Sequence, residues 1–190
     1  MKEKGLVPKR RFGEYEGDSW KTCFFKDSFS YITNNSLSRA KLNYKKGIAK
    51  NIHYGDILIK YGEVLNVEKS IVPFISDDEE AKKLLPSSLR DGDIIFADAA
   101  EDETVGKCSQ LINVNDENIV SGLHTITYRP EIETSLGFLG YYFNSTAYRK
   151  QIMGLMQGTK VLAISKSTLE GTSLIIPPTI SEQKKISSFF

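Results

Sequence analysis

Apolar and polar positions alternate through the middle of this chain, and the period lengthens to a helical one toward its end. Ser28-Phe29-Ser30-Tyr31-Ile32-Thr33 repeats every two residues and predicts a strand. Residues 34–51 are polar, with Asn34-Asn35, the lysines Lys41, Lys45, Lys46 and Lys50, and Gly47; they predict a loop or a marginal helix outside the core. Gly55-Asp56 then turns the chain into a predicted strand, Ile57 to Tyr61, and Val64 to Val67 and Ser70 to Ile75 supply others. Ser76 or Asp77 caps a short acidic helix running through Leu85, with Glu79 and Glu80 suited to its positive end and Pro86 just beyond. A second Gly92-Asp93 turn precedes the strand Ile94-Ile95-Phe96, and strands over Lys107 to Val114 and Leu123 to Tyr128 follow. From Ser135 to Met156, the residues Leu136, Leu139, Gly140, Phe143, Ala147, Ile152 and Met156 fall near one helical face, with a break at Asn144-Ser145.

Gly158-Thr159-Lys160 opens a loop of small residues, followed by one short helical turn and a buried strand around Leu174-Ile175-Ile176. Pro177-Pro178 makes a rigid elbow. A new helix starts with Ser181 as N-cap and Glu182 in its first turn. Its apolar residues Ile186, Phe189 and Phe190 share a face that needs a partner to bury it. Residues 1–19 form a polar lead-in that packs mainly through Phe12 and Tyr15. Central strands with helices toward the end predict a single α+β domain.

Composition narrows the class. A chain of 190 residues, 40% hydrophobic and 26% charged, suits one globular domain with a sound core. No apolar run approaches the roughly 20 residues that span a bilayer. The opening Met-Lys-Glu-Lys-Gly lacks the apolar stretch of a signal peptide. Cys23 and Cys108 follow no ligand spacing and read as reduced core thiols of a cytoplasmic protein. The net charge of +1 hides segregation: residues 1–50 carry 12 Lys+Arg against 5 Asp+Glu, residues 51–140 carry 7 against 17, and residues 141–190 carry 6 against 2. Either these are ordinary solvated faces, or both basic segments share one face with the acidic middle turned away, as a phosphate-binding surface requires.

Catalytic chemistry is hard to place. Neither His53 nor His124 has a second ligand at metal spacing, and His124, in a predicted strand, reads as a hydrogen-bonded structural residue. No Gly-rich phosphate loop or nucleophile elbow is present. Pro177-Pro178 lacks the flanking residues of an amino-methyltransferase motif, and Glu182-x-Lys184, part of a nuclease signature, sits at a helix start. Asp98, Glu101, Asp102 and Glu103 could hold a divalent cation, but read as a solvated loop. Residues suited to DNA are easier to find. Asn34, Asn35, Ser36, Ser38, Arg39, Lys41, Asn43, Tyr44, Lys45 and Lys46 crowd base-reading and phosphate-holding types into one stretch. Thr159, Lys160, Ser165, Lys166 and Ser167 form a second set.

The order Gly158-Thr159-Lys160, Ile164-Ser165-Lys166, Leu169, Ile176-Pro177-Pro178, Ser181-Glu182-Gln183 and Ile186 resembles the end of a target-recognition domain in the specificity (S) subunit of type I restriction-modification systems. Val7-Pro8-Lys9-Arg10-Arg11-Phe12 with Gly17-Asp18-Ser19-Trp20 resembles the opening segment of these subunits. Gly92-Asp93-Ile94-Ile95-Phe96, Val105-Gly106-Lys107 and Gly122-Leu123-His124-Thr125 resemble boxes in between. The resemblance covers nearly the whole chain. It implies a recognition domain over residues 20–178 with a mixed, twisted sheet core and C-terminal helices, then a conserved spacer helix beginning at 179–190 and cut off at Phe190. Such a bacterial, cytoplasmic subunit is not itself catalytic. It selects the double-stranded DNA sequence that partner subunits methylate at adenine or cleave. S-adenosylmethionine then belongs to the methylation subunit, and ATP and Mg²⁺ to the restriction subunit. The resemblance further implies that Glu182, Gln183, Ile186, Phe189 and Phe190 face partners, and that the domain pairs with a second recognition domain or with a copy of itself. The alternatives are a stand-alone methyltransferase or nuclease fragment, and a protein-interaction module that never meets DNA.

Overall fold

The computed structural model describes Pro8, residues 10–17 and residues 19–190. Val7, Lys9 and Asp18 of the opening boxes therefore lie outside the described residues, as does the Met1–Gly5 start.

A five-stranded sheet forms the centre, in the spatial order Phe29–Ile32, Thr125–Pro130, Ile94–Ala97, Cys108–Ile112, Val64–Asn66. The first three pairings are antiparallel and the last is parallel, so the sheet is mixed as expected. Ile94–Ala97 is buried along its whole length. Ile94 and Phe96 enter one core and Ile95 and Ala97 the other, which is why this strand is an unbroken apolar run rather than an alternating one. A second mixed sheet, Ile119–Ser121, Lys50–Ile52, Phe74–Ile75 and Leu42–Asn43, lies beside it. The stretch read as a polar loop thus holds two short strands and the 3-10 turn Arg39–Lys41.

The larger core is aromatic. Phe25 meets Tyr128 edge-on at 4.8 Å, and Phe143 meets Tyr148 at 4.6 Å. The helices Phe138–Asn144 and Thr146–Met153 cover this side, broken at Ser145 as the pattern predicted. Gly140 lets the first of them touch the sheet edge: its N–H donates to Gln110 Oε1 at 3.1 Å, and a Cβ there would collide with the Glu63 carbonyl. Two members of the predicted apolar face, Leu136 and Ala147, are exposed, and Tyr148 takes the core position. Cys108 is fully buried, which pushes its thiol up, while Cys23 is half-buried.

Other elements depart from expectation. Residues Tyr54–Ile59 form a helix where a strand over Ile57 to Tyr61 was predicted. His53 caps it by accepting from Gly55 N, and Asp56 and Ile57 turn inward. A run of three apolar residues has no period of its own, so a cap and a buried face settle its conformation. Ser70 to Ile75 yields strand only at Phe74–Ile75. His124 lies in the turn before its strand, at φ 54. The acidic helix Asp78–Leu84 forms where its pattern placed it, with Asp77 accepting from the Glu79 and Glu80 amides. The closing helix is Ile180–Ser187, and its N-cap is Thr179 rather than Ser181, because the Thr179 hydroxyl lies within 3.3 Å of Glu182 N. Lys21–Phe24 pairs antiparallel with Ser173–Ile176, so the two ends of the described chain meet.

Candidate nucleic-acid interface

The polar stretch from Asn34 to Lys46 is held by its own side chains. Asn35 donates to Asn51 Oδ1 (2.7 Å) and the Ser121 carbonyl (2.8 Å), and accepts from Leu37 N at 3.0 Å. Asn43 accepts from Lys45 N and Lys46 N and donates to the Lys46 carbonyl, closing a turn that leaves both lysines exposed. Asn34, half-buried, donates once to the Gly122 carbonyl (3.3 Å) and accepts once from Tyr31 Oη (3.2 Å). Of the three asparagines in this base-reading stretch, Asn34 keeps a spare N–H and a spare lone pair; Asn35 and Asn43 spend their amides on holding the loop.

Ser38, Arg39 and Lys41 are exposed beside this turn. Arg39 donates to the buried Asp56 carboxylate at 2.7 Å, and Lys60 reaches the same carboxylate at 2.9 Å. Lys60 also donates to Tyr44 Oη at 3.0 Å and lies over its ring. His53 faces Arg39 through Nδ1 at 3.4 Å. Burial first, and the Arg39 charge second, hold its imidazole below the ordinary value. Accepting from Gly55 N through Nδ1 therefore leaves the proton of neutral His53 on Nε2.

The second basic set lies beyond more than a hundred residues of sequence. Thr159 and Lys160 are exposed at a hairpin tip closed by the Gln157–Ala163 bridge, and Leu162–Ala163 pairs with Ala99–Ala100. The Ser165 hydroxyl is spent capping the helix Lys166–Glu170. Lys166 leans over the ring of Tyr31, with Nζ at 3.6 Å from its centroid, and Tyr31 is the residue bonded to Asn34. Asn34 and Asn35 also line a cleft of about 480 Å³ with Glu80, Asp98 and His124. His124 Nδ1 is 3.1 Å from Asp98 Oδ1, and the Tyr54 ring stands edge-on to the imidazole at 5.2 Å.

One surface row therefore runs from Lys166 through Tyr31, Asn34, His124 and Tyr54 to Arg39 and Lys60. Tyr31, His53, Tyr54, Lys60 and His124 are additions to the sequence-based sets. The local signal for His53 is an N-cap acceptor two residues before Gly55, and for Lys60 it is Asp56 four residues earlier; the contacts Lys166–Tyr31 and Tyr54–His124 have no local signal, because chain-distant neighbours make them. Lys166 of the closing basic segment meets Tyr31 of the opening one, and the acidic middle is not turned away from this face. Glu80 and Asp98 line the cleft, and Lys41 sits 3.9 Å from Glu80. Burial raises the Asp98 carboxyl above its ordinary value, although His124 opposes this.

Among the described residues, no group of three or more His, Cys, Asp or Glu side chains is placed to hold a metal ion, and no helix is long and apolar enough to cross a membrane. Asp102 of the acidic loop accepts from Thr104 N at 2.8 Å. Two of the residues expected to face partners are turned inward instead. Glu182 is fully buried, bound bidentately by Arg11 at 2.6 Å and by Trp20 Nε1 at 3.1 Å. Gln183, also fully buried, accepts from Ser135 N and donates to the Pro177 carbonyl. Ile186 is half-buried against the aromatic core. Phe189 and Phe190 are each 74% exposed, Phe189 edge-on to Phe12 and Phe190 stacked on Tyr141.

No family model and no curated protein matches this sequence. Among solved structures, the S subunit of a type I restriction-modification system from M. genitalium matches at TM-score 0.59 and 14% identity, over 97% of this chain and 41% of its own. A chain from a study of complex assembly and conformational transition of the type I R-M system matches at TM-score 0.58 and 16% identity, over 92% and 39%. The HsdS subunit from Thermoanaerobacter tengcongensis matches at 0.57 and 18%, over 90% and 36%. At these identities the likeness establishes the fold: this chain folds as part of a type I S subunit does, and it spans about two fifths of the first two relatives' length.

Proposed function

We propose that this chain is a target-recognition domain of a type I restriction-modification specificity subunit, selecting the duplex sequence at which partner subunits methylate adenine or cleave. The observation that carries this reading is the meeting of the two basic sets, Lys166 over Tyr31 and Tyr31 on Asn34, on a domain with the S-subunit fold. Exposed cations at Lys45, Lys46, Lys160 and Lys166 suit phosphates, and the half-exposed polar row between them suits base edges. The chain is a non-catalytic member of its complex. S-adenosylmethionine belongs to the methylation subunit, ATP and Mg²⁺ to the restriction subunit. A second recognition domain or a second copy completes a bipartite site, and the cytoplasm is the setting.

A titration with duplex DNA at two salt concentrations tests this. Binding should weaken on raising salt, with a log–log slope of roughly −0.9 per phosphate contact. No binding even at low salt would favour a protein-interaction module. Turnover of DNA by the chain alone, with S-adenosylmethionine or Mg²⁺, would favour the enzyme alternative.

A further inference from the structure

We propose that His124 reads the exocyclic amino group of an adenine or cytosine, with Asp98 as its positioning residue; this rests on the DNA-reading function above and names the base class that the cleft accepts. Two contacts hold the imidazole, on a backbone set in a turn. Its backbone sits at φ 54, a left-handed turn conformation that histidine adopts more readily than most residues other than glycine. Asp98 faces Nδ1 at 3.1 Å, and the two residues are also tied by the Asp98 N–H donating to the His124 carbonyl. Tyr54 stands edge-on to the ring at 5.2 Å. Yet the side chain is 50% exposed, on the cleft that Asn34 and Asn35 also line. A half-exposed ring oriented on one edge by a carboxylate and on its face by an aromatic suits recognition of a ligand.

The mounting also dictates which ligand. A carboxylate at Nδ1 selects the tautomer with the proton there, so neutral His124 presents Nε2 as an acceptor. No residue among those described occupies Nε2. In the major groove, the donors an acceptor can read are adenine N6 and cytosine N4. Glu80 and Asp98 on the same cleft disfavour phosphate and the acceptor edges of guanine and thymine, and they favour amino groups. Asn34, which keeps a spare N–H and lone pair, lines the same cleft, so adenine can be met at N7 as well as N6.

Selection from a pool of random-sequence duplexes, by the wild-type chain and by His124→Ala, Asp98→Ala and His124→Lys, tests the assignment. The wild type should enrich a motif with one position restricted to adenine or cytosine. His124→Ala and Asp98→Ala should relax that position alone, from roughly tenfold or more to near-indifference. His124→Lys exchanges an acceptor for a donor and should move the preference to guanine or thymine. In a second measurement, independent of mutant folding, replacing the selected base by an analogue without its amino group should cost the wild type the same factor. A wild-type motif insensitive to every variant and to the analogue overturns the role of His124 and leaves DNA reading intact. Uniform weakening across all sequences overturns it equally. A wild type that enriches no motif overturns both.

Discussion

At the scale of single residues, polar side chains on one loop divide between those that build it and those that remain available. Asn43 binds two backbone amides and a carbonyl, so its amide cannot also grip a base bidentately, whereas Lys45 and Lys46, which it displays, project freely. Replacing both lysines by glutamate should weaken binding to every sequence and reduce the salt slope by roughly 0.9 for each phosphate no longer neutralised. Asn43→Ala should act in the same direction and to a smaller degree, without altering base preference. Unchanged affinity of the double variant at matched salt would remove this turn from the interface. Residue type alone pointed to this loop. It could not separate Asn34 from Asn35, because that separation depends on Asn51, Ser121 and Gly122, which are brought in from other strands and turns.

At the scale of elements, the closing helix is the clearest case of a partly legible segment. Its existence, the Pro-Pro elbow before it and the position of Glu182 in its first turn were all readable from local pattern. The use of Glu182 was not, since both its partners are more than 160 positions away. Arg11 and Glu182 form a bidentate pair with side chains 4% and 1% exposed, so removing Arg11 leaves the buried Glu182 carboxylate with the Trp20 N–H in place of a charged partner. Arg11→Ala should cost about 3–5 kcal/mol of stability by that mechanism. Urea unfolding followed by Trp20 fluorescence is a direct readout, because the chain has one tryptophan and its indole N–H binds the same carboxylate. A loss below about 1 kcal/mol, the range of an exposed pair, would mean that something else anchors the helix. The helix Tyr54–Ile59 shows the opposite: Gly55-Asp56-Ile57 and Gly92-Asp93-Ile94 look alike, yet one lies in a helix and the other runs into a strand. In both, the aspartate is buried and paired with an arginine from elsewhere, Arg39 or Arg129.

At the scale of the whole molecule, the lead-in, the strand Lys21–Phe24 and the closing helix bring both ends of the described chain to one place. Next to them Phe12, Trp20, Ile186, Phe189 and Phe190 line an apolar cleft of about 430 Å³. With Glu182 and Gln183 spent internally, Phe189 and Phe190 are the exposed part of the set expected to meet partners. If the chain serves as proposed and this exposed pair meets a methylation subunit, Phe189→Ala with Phe190→Ala should weaken co-purification with that subunit while leaving DNA binding in place. Co-purification at full strength by the double variant would put that surface elsewhere.

Sequence by itself determined the class of the domain, the place of most strands and helices, and the two basic polar stretches, because periodicity, caps and charge are local properties. Tertiary structure decided that Lys166 meets Tyr31, that Asp98 orients His124, and that Glu182 faces Arg11 instead of a partner. Each of those pairs joins residues brought together by sheet order and by the meeting of the chain's two ends. Local pattern carries no record of such long-range pairing; the burial that selects it exists only in the assembled fold.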